Sequence, residues 1–141
     1  MNILTLEQLT KYRRFIALLA IAISVLAWMT EFTGLVYVCP YCRVQRTVIG
    51  ILGVMLLLFI KHNWLVTYFA IVVGFLGAVV AAMQHFNGWK KISSGKFTFN
   101  ENIFIDPFLL SGGALFIIIG LSVSYLITQL SLKEDWSYSF V

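Results

Sequence analysis

The residues of this chain most able to do chemistry are its two cysteines, Cys39 and Cys42, which stand in the sequence Cys-Pro-Tyr-Cys. Two thiols at this spacing can close a small disulfide and reopen it, and such pairs exchange electrons readily when one thiolate is stabilised. A bridge that closes so short a loop adds little stability by the chain-entropy account, which disfavours a purely structural role. The spacing therefore favours a redox-active dithiol.

The charges near the cysteines favour the same interpretation. If an apolar helix begins near Cys42, its sulfur lies at a helix N-terminus, where free N–H groups and the helix dipole favour an anion. Arg43 is adjacent, and Arg46 lies four residues on, on the same helix face and one turn deeper. We therefore expect the Cys42 thiolate to be stabilised by both arginines.

The composition of the chain indicates where this dithiol is placed. Of 141 residues, 60% are hydrophobic and only 11% are charged, against roughly 25% charged in a soluble domain. The net charge of +4 comes mostly from residues at the ends of apolar runs, where they anchor helices in lipid headgroups rather than bind nucleic acid. The composition excludes a soluble or disordered chain and predicts a membrane protein.

Four apolar runs can cross a membrane, one of them only when its start is extended toward Cys42. We predict an all-α, integral membrane four-helix bundle, one domain over residues 1–141, with spans at 15–32, 44–60, 64–83 and 108–130. No small-residue cleavage pattern ends the first run, and three more follow it, so we interpret it as a retained span rather than a signal peptide.

Two local patterns leave alternatives open. Apolar and polar residues are interleaved between spans three and four, from Phe97 to Phe108, which predicts either a short segment in the membrane surface or a loop whose aromatic residues pack on the bundle. Small residues in span three, which include Gly77 and Ala81, allow close helix approach within the bundle or between copies.

Four spans place both termini on one side of the membrane and the cysteine loop on the other. Lysine and arginine are divided equally, five on each side, so their count does not orient the bundle. We favour cytoplasmic termini, because the cluster from Lys11 to Arg14 precedes the first helix, which usually dominates. Gln84 and His85, at the end of span three, then share the membrane face of the cysteines.

This topology weighs against a zinc site at the cysteines. Zinc takes four ligands, so His62 and His85 would have to complete the site, and the turn that contains His62 lies at the opposite membrane surface. A soluble thioredoxin-like domain is excluded as well, since it needs alternating strands and helices that this hydrophobicity forbids.

The setting also suggests the electron acceptor. The chain has no glycine-rich dinucleotide fingerprint and no pair of buried histidines suited to haem. A dithiol at the membrane surface points to a membrane-soluble carrier, a quinone such as ubiquinone or menaquinone. Cys42 would react with the quinone ring, Arg46 would stabilise negative charge on a quinone oxygen, and His85 would help to protonate the quinol.

The segment from Leu35 to Arg46, followed by Gly50 and Gly53, resembles the first-loop signature of the DsbB family of quinone-dependent disulfide-forming membrane proteins. The Gln84-His85 pair at the end of span three and the four-span layout also resemble that family. The resemblance implies that Cys39 and Cys42 are the quinone-linked pair, with Cys42 facing the quinone. It further implies a quinone site formed by polar residues of these motifs: Gln45, Arg46, Gln84 and His85.

The resemblance also implies the bacterial inner (cytoplasmic) membrane, cytoplasmic termini, a periplasmic cysteine loop and a thioredoxin-like, DsbA-type partner. Members of the family usually carry a second cysteine pair between spans three and four, whereas residues 92–98 here read Ile-Ser-Ser-Gly-Lys-Phe-Thr. The Cys39–Cys42 pair could oxidise its partner directly, another protein could supply the missing pair, or the chain could have stopped serving a DsbA. We favour direct exchange, because it needs no further component.

We therefore predict a quinone-dependent protein-dithiol oxidoreductase in contact with lipid, quinone and a thioredoxin-like partner, and not with nucleic acid. Its Cys39–Cys42 disulfide would oxidise the partner, and the electrons would pass to the quinone. Two alternatives stay open: a non-enzymatic scaffold or accessory subunit with a structural disulfide, and a reductase that runs the electrons in the other direction.

Overall fold

The chain folds into four long helices with short connections. This computed structural model describes residues 3–36, 38–58 and 63–139, so the predicted turn residues Lys61 and His62 lie outside it. The helices, numbered in chain order, are α1 (Ile3–Phe32), α2 (Pro40–Leu58), α3 (Trp64–Ser93) and α4 (Pro107–Ser139), with one 3-10 turn at Ile103–Ile105. All four helices are long and apolar enough to cross a membrane, which confirms the predicted all-α membrane bundle.

Two helix boundaries near the cysteines differ from the prediction. α2 begins at Pro40 instead of 44, because proline suits the first helical position, where its missing N–H is not needed. α3 continues past 83 to Ser93, so Gln84 and His85 lie within the helix and not at its end. The helix stops where Gly95 adopts a positive φ of 68°, a backbone conformation that typically terminates helices.

Small residues let the helices approach one another closely. Gly77 of α3 faces Val48 of α2, and a Cβ added to it would lie 2.5 Å from the Cγ1 atom of Val48. Gly74 faces Ser122 of α4 in the same way, and Ala81 is completely buried. Gly74, Gly77 and Ala81 of α3 therefore pack inside the bundle, which is the first of the two alternatives that the sequence left open.

The connection from α3 to α4 is held in place by Asp106. Its buried carboxylate accepts a hydrogen bond from the backbone N–H of Phe108 (2.9 Å), at the start of α4, and another from that of Asn100 (3.1 Å), across the loop. Phe97 packs edge-on against Phe108, with ring centroids 5.5 Å apart, whereas Phe104 is almost fully exposed. Part of the loop thus packs its aromatic residues on the bundle, as one alternative predicted, while its position in the membrane surface stays a prediction.

Candidate functional site

The two cysteines lie where α2 begins, beside α3. Cys39 precedes the helix and Cys42 lies in its first turn, which confirms the predicted position at a helix N-terminus. Only 4% of Cys39 is exposed, while Cys42 is partly exposed. Both are free thiols, and the side-chain amide of Gln84 lies within hydrogen-bonding distance of both sulfurs. The two sulfurs therefore lie in the same small region, as a disulfide between them requires.

An amide from α3 lies against both sulfurs. The Nε2 atom of Gln84 is 3.6 Å from the sulfur of Cys42 and 3.9 Å from that of Cys39. Gln45 donates a hydrogen bond of 2.8 Å to the Oε1 atom of Gln84, which turns the amide nitrogen of Gln84 toward the cysteines. Because both glutamines are buried, this donor is well placed to stabilise a thiolate by a charge-assisted hydrogen bond.

The arginines after Cys42 are paired with an acidic residue that the sequence reasoning missed. Glu31, in the last turn of α1, accepts hydrogen bonds of 2.6 Å from Arg46 and from Arg43, one on each carboxylate oxygen. Only 4% of the glutamate side chain and 11% of that of Arg46 are exposed. Two guanidinium groups and one carboxylate leave a net charge of +1.

This pairing corrects one expectation from the sequence. The sequence predicted that both arginines stabilise the Cys42 thiolate, whereas both guanidinium groups are paired with Glu31. The signal for Glu31 was present in the sequence, as an acidic residue that ends an apolar span and is followed by two arginines across a short loop. A buried arginine needs a partner of opposite charge.

A serine of α1 supports the turn of α2 that carries Arg46. The hydroxyl of Ser24 donates a hydrogen bond of 2.8 Å to the backbone carbonyl of Arg46. Gly50 lies one turn further along, and a Cβ on it would be only 2.7 Å from that hydroxyl oxygen. The close approach of α1 to this turn therefore depends on the glycine.

His85 faces a different neighbour from Gln84. Its Nδ1 atom is 3.1 Å from the backbone carbonyl oxygen of Phe108, and its ring stacks on that of Phe108 with centroids 4.3 Å apart. The hydroxyl of Ser111 lies 3.4 Å from the same nitrogen. Adjacent helical residues project about 100° apart, so Gln84 faces α2 while His85 faces α4. The role of His85 at a quinone stays a prediction.

The first of two cavities beside the dithiol lies on the Cys42 side, and we call it the Cys42 cavity. It has a volume of about 680 Å³ and lies between α1, α2, α4 and the 3-10 turn. Cys42, Gln45 and Arg46 form its polar wall. The rest is mainly apolar and includes Ile49 and Leu110. An apolar cavity with a few converging polar groups is typical of a small-molecule site.

The second cavity lies on the Cys39 side, and we call it the Cys39 cavity. It has a volume of about 660 Å³ and lies between the start of α2, the end of α3 and the loop to α4. Cys39 and Gln84 line it together with three lysines: Lys90, Lys91 and Lys96. The two sulfurs therefore contribute to two chemically different cavities.

Comparison with protein families identifies a match that covers more than half of the chain. A family model described as "Disulfide bond formation protein DsbB" matches residues 11–99. The matched range contains both cysteines and the polar groups that contact them, and it ends before the 3-10 turn. Comparison with curated proteins and with solved structures gives no match.

Proposed function

Because this chain belongs to the DsbB family of disulfide bond formation proteins, we propose that it oxidises protein thiols directly at Cys39 and Cys42 and passes the electrons to a quinone. Membership of the family carries the general assignment, a membrane disulfide oxidoreductase. The quinone, a thioredoxin-like DsbA-type partner, the inner membrane and a periplasmic cysteine loop are the proposed parts. The observation that carries the proposal is a dithiol placed between an apolar cavity and a basic one.

The Cys42 cavity suits the head group of a quinone. Its volume of about 680 Å³ is within the usual range of small-molecule sites, and mainly apolar walls suit such a ring. When bound, the quinone would accept two electrons and two protons. Arg46 would balance negative charge on a ring oxygen, Gln45 would offer a further donor, and Cys42 would present its thiolate to the ring.

Gln84 and His85 enter the proposal differently from the way the sequence suggested. The amide of Gln84 lies against the sulfurs, so its proposed role is to stabilise and orient the Cys42 thiolate. The ring of His85 contacts Phe108 of α4. Protonation of the quinol by His85 would therefore require a movement of this ring.

The proposed reaction converts two substrate thiols and one quinone into a disulfide and a quinol, so electrons and protons balance. A substrate thiolate attacks the sulfur of Cys39 in the disulfide state, and Cys42 leaves as a thiolate. A second substrate thiol then displaces Cys39, which yields the substrate disulfide and the reduced pair. Transfer of two electrons and two protons from this pair to the quinone restores the Cys39–Cys42 disulfide.

The test is a single anaerobic turnover. The protein is reduced in detergent, the reductant is removed, and a short-tail quinone is added while quinone absorbance and free thiols are followed. We expect one quinone to be consumed per two thiols lost. Cys42→Ser should fail and Arg46→Ala should be strongly slowed, whereas Arg14→Ala, an exposed arginine of α1, should behave as the wild type. Unreacted quinone with the thiols still reduced would contradict the proposal and favour a scaffold.

The reductase alternative predicts a different reduction potential. Structural disulfides commonly have potentials below about −300 mV, and oxidants of protein thiols lie well above this value. Equilibration of the Cys39–Cys42 pair with glutathione buffers of known potential would measure it. A value in the structural range would contradict the proposed direction of electron flow.

A further inference from the structure

We infer that the Cys39 cavity is where the protein substrate enters, and that its three lysines select a cysteine carried in an extended, acidic segment. This inference rests on the proposed function and specifies its thiol substrate. The chain has no cysteines besides Cys39 and Cys42, so in direct exchange an outside thiol must reach this pair itself. The two cavities offer it two different routes.

The burial of Cys39 determines what kind of molecule can reach it. Only 4% of the residue is exposed, and with Gln84 it lines a cavity of about 660 Å³. A flat protein surface does not contact so buried a sulfur. The thioredoxin-like partner would therefore have to present its cysteine on a narrow stretch of chain that projects from its fold, with the cysteine side chain directed inward.

The charges of the cavity determine the composition of that segment. Lys90, Lys91 and Lys96 line the cavity and are exposed. Asp106 also lines it, but its buried carboxylate already accepts backbone hydrogen bonds at the start of α4 and from Asn100. Three lysines and one aspartate leave a net charge of +2.

These lysines are available to a ligand. In the part of the chain that the structure describes, the ion pairs are those of Glu31 with Arg43 and Arg46, and none involves the lysines of the cavity. Opposite charge at a cavity mouth accelerates encounter, and the acceleration falls with ionic strength. Carboxylates next to the substrate cysteine would therefore be attracted here.

The Cys42 cavity does not offer the same recognition. The guanidinium group that it presents, that of Arg46, is already paired with Glu31, and most of its lining is apolar. An acidic segment would lose hydration there and would meet one paired guanidinium group instead of three unpaired lysines. The substrate thiolate is therefore directed to the sulfur of Cys39. Its attack breaks the Cys39–Cys42 bond and releases Cys42 as the thiolate.

The test uses the full-length oxidised protein with excess quinone and two short synthetic dithiol peptides that differ only in the residues flanking the cysteines, glutamate in one and lysine in the other. We expect the glutamate peptide to lose its thiols on the order of tenfold faster at low salt, with the difference shrinking at high salt. The triple variant Lys90→Gln, Lys91→Gln and Lys96→Gln should abolish the difference. A control triple variant in exposed residues, Lys11→Gln, Arg14→Gln and Lys133→Gln, should retain it.

The single-turnover reduction of quinone separates the possible failures. If the prereduced protein reduces quinone but oxidises both peptides equally fast, the inference is overturned and the proposed function stands. If the prereduced protein does not reduce quinone, the proposed function itself fails. If a free Glu-Cys-Gly tripeptide reacts as fast as the longer acidic peptide, the inference of an extended peptide substrate is overturned. The cavity would then be a binding site for a small anionic thiol.

Discussion

The two cavities beside the dithiol have nearly the same volume, about 680 and 660 Å³, but differ in the charged residues that line them. The Cys42 cavity is mainly apolar, and its arginine is paired with Glu31. The Cys39 cavity is lined by exposed lysines. A single pair of cysteines can therefore face a membrane-soluble reactant on one side and a polar reactant on the other.

The start of α2 creates this separation. Cys39 precedes the helix, and Cys42 lies in its first turn. The sulfurs stay within reach of each other because the spacing is short, yet each lines a different cavity. Gln84 reaches both sulfurs from α3, so one amide can serve the thiolate of either residue.

The largest expected effect comes from removing either sulfur. Cys39→Ser and Cys42→Ser should each reduce turnover to the uncatalysed rate, because a two-electron exchange requires both sulfurs. Alkylation of the cysteine that remains in each variant compares access through the two cavities. In Cys39→Ser, the remaining Cys42 should react faster with an apolar maleimide than with an anionic one. In Cys42→Ser, the remaining Cys39 should react faster with the anionic maleimide because of the lysines. Mass spectrometry measures both rates, and equal preferences would show that the cavities do not differ in access.

The next largest effect should come from Glu31, which pairs with the arginines on the Cys42 side of the dithiol. Glu31→Gln removes the partner of two arginines, and loss of one member of a buried ion pair costs about 3 kcal/mol. We expect the free energy of unfolding in detergent to fall by that order, and reduction of quinone to slow more than exchange with peptides. Glu101→Gln, in an exposed loop position, should change stability by less than about 0.5 kcal/mol. Equal stability of both variants would contradict the pairing.

Two glycines allow each cavity to be disturbed separately. Gly50→Ala forces Ser24 away from the turn of Arg46, and Gly88→Ala forces Phe108 away from the Cys39 cavity. Each should cost about 2 kcal/mol through overpacking. Gly50→Ala should mainly slow reduction of quinone, and Gly88→Ala should mainly slow exchange with peptides.

The matched control for both glycines is Gly120→Ala. A Cβ at Gly120 meets nothing within 4 Å, so alanine there should stabilise the helix by up to about 1 kcal/mol. The measurements are thermal unfolding and the rates of the two half-reactions, reduction of quinone and exchange with dithiol peptides. If Gly50→Ala and Gly88→Ala slow both half-reactions equally, each cavity affects both reactions, and the proposed division between a quinone cavity and a thiol cavity is contradicted.

The smallest effect should come from the shared amide. Gln84→Met keeps a similar volume but removes the N–H donor near both sulfurs, at a cost of about 1 kcal/mol, or roughly fivefold in rate. Both half-reactions should slow together in stopped-flow measurements. Gln8→Met, at an exposed position of α1, is the control. Unchanged rates in Gln84→Met would mean that the amide contributes nothing to the thiolate.

Part of the candidate site was predictable because it depends on neighbours in sequence. The position of Cys42 in a first helical turn follows from Pro40 and from the apolar run after it. Gln45 and Gln84 were singled out by resemblance, but their mutual hydrogen bond joins residues 39 positions apart. Local spacing carries no information about such a contact, since it depends on how α2 and α3 rotate against each other.

The sequence by itself determined the membrane setting, the four helices and a dithiol at the start of the second, because composition and short-range spacing control these features. The tertiary structure alone decided that Glu31 neutralises part of the charge of Arg43 and Arg46. It also turned His85 toward Phe108 and opened a different cavity to each sulfur. The physical reason is that pairing, burial and cavity shape arise where helices distant in sequence meet, and close packing leaves each side chain only the space that its neighbours allow.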